Sequence, residues 1–227
     1  MTVETMKLSV LKVFSLFILL SLCSSLKAQQ PRYYNDIQRF KKQDSIKMPP
    51  QHAILFIGSS SFTKWTDVQN YFPEYTIINR AFGGSTLPEV INYANDIVFP
   101  YSPKQVIIYC GENDLASSDT ITPTIVLNRF KQLFEIIRKE SGSVNIAYVS
   151  IKPSPIRKKN QIKAEQANEL IRKFLKTKPK AAFIDVYHSM LLKERNINGE
   201  IFTSDSLHMN AKGYAIWQKA IQPYLLK

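Results

Sequence analysis

Asp205 and His208 stand three residues apart near the C-terminus, in Asp205-Ser206-Leu207-His208-Met209-Asn210. A turn over that spacing lets the carboxylate reach one ring nitrogen and leaves the other free. This fixes the imidazole tautomer and stabilises the imidazolium that a general base becomes. The same histidine could equally cap a surface helix. A base needs a nucleophile, and Gly58-Ser59-Ser60-Ser61-Phe62 offers three hydroxyls. Glycine permits a sharp turn, and a serine at the next helix start meets the positive helix end. Such a serine also serves as a plain N-cap. Two further segments carry donors for a developing negative oxygen. In Asn79-Arg80-Ala81-Phe82-Gly83-Gly84-Ser85-Thr86 the Gly84 N–H could point at an oxyanion, or the pair could form a plain Gly-Gly turn. In Gly111-Glu112-Asn113-Asp114 the Asn113 amide could do the same, or Asn113 and Asp114 could close Asx-turns. Glu112 and Asp114 also raise a metal or two-carboxylate site, which the shortage of partner histidines disfavours. His52 and His188 are read as structural, His188 having only Asp185 nearby.

These segments need elements to hold them. Short apolar runs recur at Ala53–Ile57, Tyr75–Ile78, Val106–Tyr109, Val144–Val149 and Ala181–Val186, each reading as a strand buried on both faces. Helical periodicity lies between them. Val126, Phe130, Leu133, Phe134 and Ile137 share a face, as do Ala167, Leu170, Ile171, Phe174 and Leu175, in a helix expected to start at Pro155. A last helix spans Ala211–Leu225, and a short polar one, Tyr33–Lys47, leads in and is broken by Met48-Pro49-Pro50. Strands alternating with helices imply a parallel sheet covered on both sides, a five-stranded three-layer α/β/α sandwich. Ligands in such folds bind beyond the C-terminal strand ends. The serine run, the Gly-Gly turn and the Gly-x-Asn-Asp turn each follow a strand.

Taken in order, Gly-x-Ser after the first strand, Gly before Ser-Thr after the second, Gly-x-Asn-Asp after the third and Asp-x-x-His near the end resemble the SGNH hydrolase superfamily, the GDSL-like esterases and lipases. The resemblance runs from about residue 53 to residue 217. It implies a flavodoxin-like fold. It also implies Ser60 as nucleophile, His208 and Asp205 as its triad partners, and an oxyanion site made by Ser60, Gly84 and Asn113. The stretch Leu55-Phe56-Ile57-Gly58-Ser59-Ser60-Ser61-Phe62 with Trp65, preceded by Phe40, Asp44 and the Pro-Pro pair, is similar to a bacterial subgroup with Gly-Ser-Ser-Ser in place of Gly-Asp-Ser. Ser59 thus stands where most relatives have aspartate. That aspartate is not the triad acid, so the mechanism survives its loss. The offset from Gly58 favours Ser60 among the three serines. The implied activity is hydrolysis of carboxylic esters through an acyl-enzyme, with no metal or organic cofactor. O-acetyl groups on carbohydrates are the expected substrates. A lysophospholipase or short-chain lipase, a thioesterase and a carbohydrate-binding pseudo-hydrolase are the alternatives.

The 227 residues suit one α/β domain. Lys7 and Lys12 flank the start of the apolar run Leu8–Leu22, and Leu26-Lys27-Ala28 follows, the layout of a secretory signal with cleavage after Ala28. The run is shorter than the ~20 residues of a membrane span. Residues 1–28 are therefore expected to be a signal peptide, 29–50 a helical lead-in and 51–227 the hydrolase domain, exported to the periplasm or beyond. Cys23 raises a lipid anchor as a rival, although Leu22 is too large for that motif. Loss of the signal leaves Cys110 alone, a buried thiol rather than half of a disulfide. The net charge of +12 reads as a solvated surface. The densest basic run, Arg157-Lys158-Lys159, lacks the interleaved aromatics of a single-stranded nucleic-acid platform, so no nucleic-acid partner is expected.

Overall fold

A computed structural model describes residues 30–142 and 144–227. The apolar run, Cys23 and the expected cleavage point lie outside the described residues. The chain divides into two compact units, Met1–Tyr34 and Asn35–Lys227. The second holds a five-stranded parallel sheet in the order β2-β1-β3-β4-β5. Its strands are β1 (Ile54–Gly58), β2 (Ile77–Asn79), β3 (Gln105–Tyr109), β4 (Asn145–Val149) and β5 (Ala181–Ile184). All five expected strands are present, with no end moved by more than two residues.

Alternation along the strands divides the core into two layers. Ile54 and Phe56 of β1, Ile107 and Tyr109 of β3 and Val149 of β4 face one cluster with Phe62, Trp65 and Trp217. On the other face the Tyr148 ring lies 4.7 Å from the Phe130 ring. Phe130 belongs to the long helix α7 (Pro123–Ser141), capped by Thr122, whose side chain accepts from the Ile125 N–H. Among the described residues the remaining α-helices are α1 (Tyr34–Ile46), α2 (Ser60–Thr63), α3 (Val68–Tyr71), α4 (Leu87–Asn92), α5 (Ala94–Ile97), α6 (Glu112–Ser117), α8 (Gln161–Lys176) and α9 (Ala211–Ile221).

Helix α1 buries Ile37 and Phe40 and is fastened to the sheet by charge. Asp44 pairs with Arg80, and Arg80 Nε donates to Tyr101 Oη at 2.7 Å. The Arg80 guanidinium also lies over the Phe40 and Tyr101 rings. The lead-in from Asn35 onward thus falls within the same compact unit as the sheet.

Two helix boundaries differ from expectation. Pro155–Asn160 forms a 3-10 segment with Arg157 out of helical geometry, and α8 begins only at Gln161. Long-range bonds redirect this segment: the Ile156 N–H donates to Ser206 O at 3.2 Å, and Asn160 Nδ2 donates to Leu115 O at 3.2 Å. The last α-helix stops at Ile221, and Gln222–Tyr224 turns as a 3-10 segment containing Pro223.

Candidate active site

The strand order changes direction between β1 and β3, and a crevice opens at such a switch point beyond the strand ends. Ser60 follows β1 and Asn113 follows β3, so both sit at its mouth. The turn after β1 is dictated by crowding. Gly58 has φ +123°, and a Cβ there would lie 1.9 Å from Tyr109 O. Only glycine lets the Ser59 N–H reach that carbonyl, which it does at 2.9 Å.

The three consecutive serines then point in three directions. Ser59 is buried, and its Oγ accepts from Asn113 Nδ2 at 2.7 Å. Ser61 turns into the core, 1% exposed. Ser60 is half-buried at the first position of α2, and its Oγ stands 2.9 Å from His208 Nε2. The other ring nitrogen of His208, Nδ1, lies 2.6 Å from Asp205 Oδ2. Asp205 Oδ1 accepts from the Leu207 and His208 N–H groups, each at 2.9 Å, and from Thr203 Oγ1 at 2.8 Å. The side-chain bond to His208, and then its backbone N–H, hold the Asp205 carboxyl well below the usual carboxylate range.

Helix α9 brings the His208 loop to Ser60. Asn210 caps the helix by accepting from Lys212 and Gly213, while its Nδ2 donates to Glu200 O and Phe202 O. The Thr203 N–H donates to His208 O at 2.8 Å, which closes the loop. Tyr214 Oη donates to Ser61 O at 3.0 Å, and the Tyr214 ring stacks on Trp65 at 4.8 Å. These contacts tie the C-terminal helix directly to the serine turn.

The Gly-Gly turn lies against the same serine. A Cβ on Gly83 would come within 3.8 Å of Ser60 Cβ, and Gly84 takes φ +84°. The Phe82 N–H and Ser85 Oγ both donate to Gly58 O at 3.0 Å, strapping the turn to the end of β1. Among the described residues neither the Ser60 nor the Gly84 N–H donates to a backbone carbonyl. Asn113 Nδ2 donates to Ser85 O at 3.1 Å in addition to Ser59. The five expected site residues therefore converge beyond the strand ends, and Ser60, Gly84, Asn113 and His208 are each half-buried.

The structure also reveals partners that the sequence reading passed over. Burial alone would raise the Glu112 carboxyl, but Lys152, Ser154 and Tyr109 together hold it below the usual range. Asp114 bonds Arg129 at 2.7 Å and the Leu87 N–H at 2.9 Å. Each carboxylate of the suspected pair is thus taken by its own cation. Among the described residues no three His, Cys, Asp or Glu side chains are arranged to hold a metal. Cys110 is buried, and burial pushes its thiol well above the ordinary value. Lys152 had no signal in the sequence, since one lysine after an apolar run looks solvated. Thr203 and Asn210 could have been found, as small polar residues flanking an Asp-x-x-His turn before a helix. His188 does pair with Asp185, Nδ1 to Oδ2 at 2.6 Å, but its side chain is 69% exposed and no hydroxyl meets its other nitrogen among the described residues.

Comparison with known proteins bears on the family and the fold. The family described as GDSL-like Lipase/Acylhydrolase matches residues 49–216. A platelet-activating factor acetylhydrolase IB subunit alpha1 of Rattus norvegicus is 24% identical over 198 residues, covering 83% of this chain and 80% of its own. A GDSL-like lipase of Bacteroides thetaiotaomicron has the same fold, with TM-score 0.70 and 20% identity over 83% of this chain and 96% of its own. So does an acetylxylan esterase of Geobacillus stearothermophilus, with TM-score 0.61 and 13% identity over 77% of this chain and 94% of its own. Since the family match spans the whole sheet and every converging segment, the chain belongs to the GDSL-like lipase/acylhydrolase family and is a hydrolase of ester bonds.

Proposed function

We propose that this protein is a serine esterase in which Ser60 attacks the ester carbonyl, His208 takes its proton and Asp205 orients the ring. The observation that carries this reading is the unbroken chain Ser60 Oγ, His208 Nε2, His208 Nδ1, Asp205 Oδ2, with gaps of 2.9 and 2.6 Å. The tetrahedral oxyanion sits among the Ser60 N–H, the Gly84 N–H and the Asn113 amide. For Asn113 to donate to it, one of the two bonds its Nδ2 now makes must be exchanged. Ser59 is the natural one to yield, because its hydroxyl can rotate away whereas the Ser85 carbonyl is fixed in the backbone. The alcohol leaves with the proton from His208, and water then cleaves the acyl-enzyme by the same route in reverse.

The substrate reading is a short acyl ester, with O-acetyl groups on carbohydrates foremost. Its support is that two relatives carry acetyl ester chemistry in their names, one of them on xylan. The N-terminal segment supports export, with a mature chain starting at Gln29. The decisive experiment sets a chromogenic acetyl ester beside acetylated xylo-oligosaccharides and long-chain esters. Turnover of the first two and not the third is expected. Turnover of long chains alone would replace this reading with a lipase, and no turnover by folded protein would replace it with a binding protein. Intact mass of the exported protein reports the start site, and retention of an acylated Cys23 would overturn cleavage after Ala28.

A further inference from the structure

Asn113 is useful to an oxyanion only if its amide is held in place, and the residue before it is held unusually firmly. Glu112 is 9% exposed and opens α6. Its Oε2 accepts from Lys152 Nζ at 2.6 Å and from Tyr109 Oη at 2.7 Å, while Oε1 accepts from Ser154 Oγ at 2.6 Å. The Lys152 side chain is fully buried. Lys152 and Ser154 follow β4, and Tyr109 closes β3 and accepts the Ser59 N–H through its carbonyl. One carboxylate therefore joins the ends of β3 and β4 and, through Tyr109, the turn that carries the three serines.

Such a pair is a poor way to gain stability. Taking both charges out of water costs several kcal/mol each, and well-packed apolar side chains often do as well or better. What a fully bonded buried carboxylate does supply is position, because each of its donors comes from a different segment and fixes one direction. We propose that Glu112, with Lys152 as its counter-charge, is a positioning group for Asn113. It locks the first turn of α6 so that the Asn113 amide stays within reach of the oxyanion that the Ser60 and Gly84 N–H groups would hold. This rests on the reading of Asn113 as an oxyanion donor.

The test is a double-mutant cycle with 4-nitrophenyl acetate as substrate. Glu112→Gln with Lys152→Met removes both charges at once, so neither is left buried alone. In the wild-type background this pair should lower kcat about ten- to a hundred-fold with KM little changed, part of the loss expected when one oxyanion donor is removed outright. In the Asn113→Ala background the same pair should cost less than about two-fold, because a group acting through Asn113 has nothing left to position. Tyr109→Phe and Ser154→Ala each delete one hydroxyl without stranding a charge. They should show the same pattern at several-fold, so the cycle can be completed even if the charge-free pair folds poorly. Equal losses in both backgrounds, or no loss in the wild-type background, would overturn the positioning role while leaving Asn113 in place. If Asn113→Ala itself left kcat unchanged, the oxyanion reading would fall instead, and this inference with it.

Discussion

The Asn113 amide and the Ser59 hydroxyl are bonded at 2.7 Å, and the same nitrogen also reaches Ser85 O at 3.1 Å. Both amide hydrogens are therefore engaged within the protein. Ser59 is more than turn filler: it is one of the two acceptors that fix the Asn113 amide. Ser59→Ala should leave Asn113 one acceptor and lower kcat by no more than about ten-fold, the scale of one neutral hydrogen bond. Ser59→Asp should instead bind the amide more tightly through a charged acceptor and lower kcat further. Steady-state kinetics on an aryl acetate with both variants checks the order. A faster Ser59→Asp enzyme would show that Ser59 does not compete with the oxyanion.

Ser60→Ala should remove the covalent route and cost at least about a thousand-fold in kcat, the scale for losing a nucleophile that acts as a unit with its base. The thermal midpoint should move little, since Ser60 is half-buried and among the described residues its hydroxyl bonds His208 alone. A fluorophosphonate probe followed by peptide mapping should label Ser60. Label on Ser59 or Ser61 would refute the assignment while leaving the esterase class intact.

Asp205→Asn should keep the shape of the loop but present the wrong hydrogen-bonding partner to His208 Nδ1, lowering kcat by roughly two to four orders of magnitude. It should also change acid stability. The folded Asp205 carboxyl titrates below the unfolded value of about 3.9. Its contribution to stability is thus fully present above that value and is lost as the pH falls toward the folded value. Urea unfolding of wild type and Asp205→Asn from about pH 6 to about pH 2 should give a difference that shrinks with acid. A difference that grew with acid would contradict the depressed carboxyl.

Gly58→Ala should destabilise the domain by several kcal/mol or prevent folding, because the new Cβ would overlap Tyr109 O, a backbone atom unable to step aside. Chemical denaturation measures this directly. A variant of wild-type stability would mean that the turn after β1 has an alternative path, and Ser60 would then lose its fixed direction.

Much of the architecture follows from the sequence because the relevant physics is local. Continuous apolar runs make buried parallel strands, 3.6-residue periodicity makes the covering helices, and glycine followed by polar residues marks the turns between them. Those rules located all five strands and the turns that hold Ser60, Gly84 and Asn113. They misplaced the start of α8, where the bonds from Ile156 to Ser206 and from Asn160 to Leu115 outweigh local preference.

Local spacing could not say which histidine matters. Asp185-Val186-Tyr187-His188 and Asp205-Ser206-Leu207-His208 share one spacing and one local geometry, each with Nδ1 at 2.6 Å from the carboxylate. A contact between residues three apart is available to any turn. A contact between His208 and Ser60, 148 residues apart, exists only because Tyr214 and Trp217 seat α9 against Trp65 and Phe62. The buried Lys152 is a second case of this kind. Its charge is tolerable only where Glu112, forty residues earlier, waits in the core. The sequence by itself determined the elements and which residues follow each strand. Which serine a histidine reaches, which histidine that is and which charges are buried were decided by long-range packing, because those energies depend on neighbours that no local window contains.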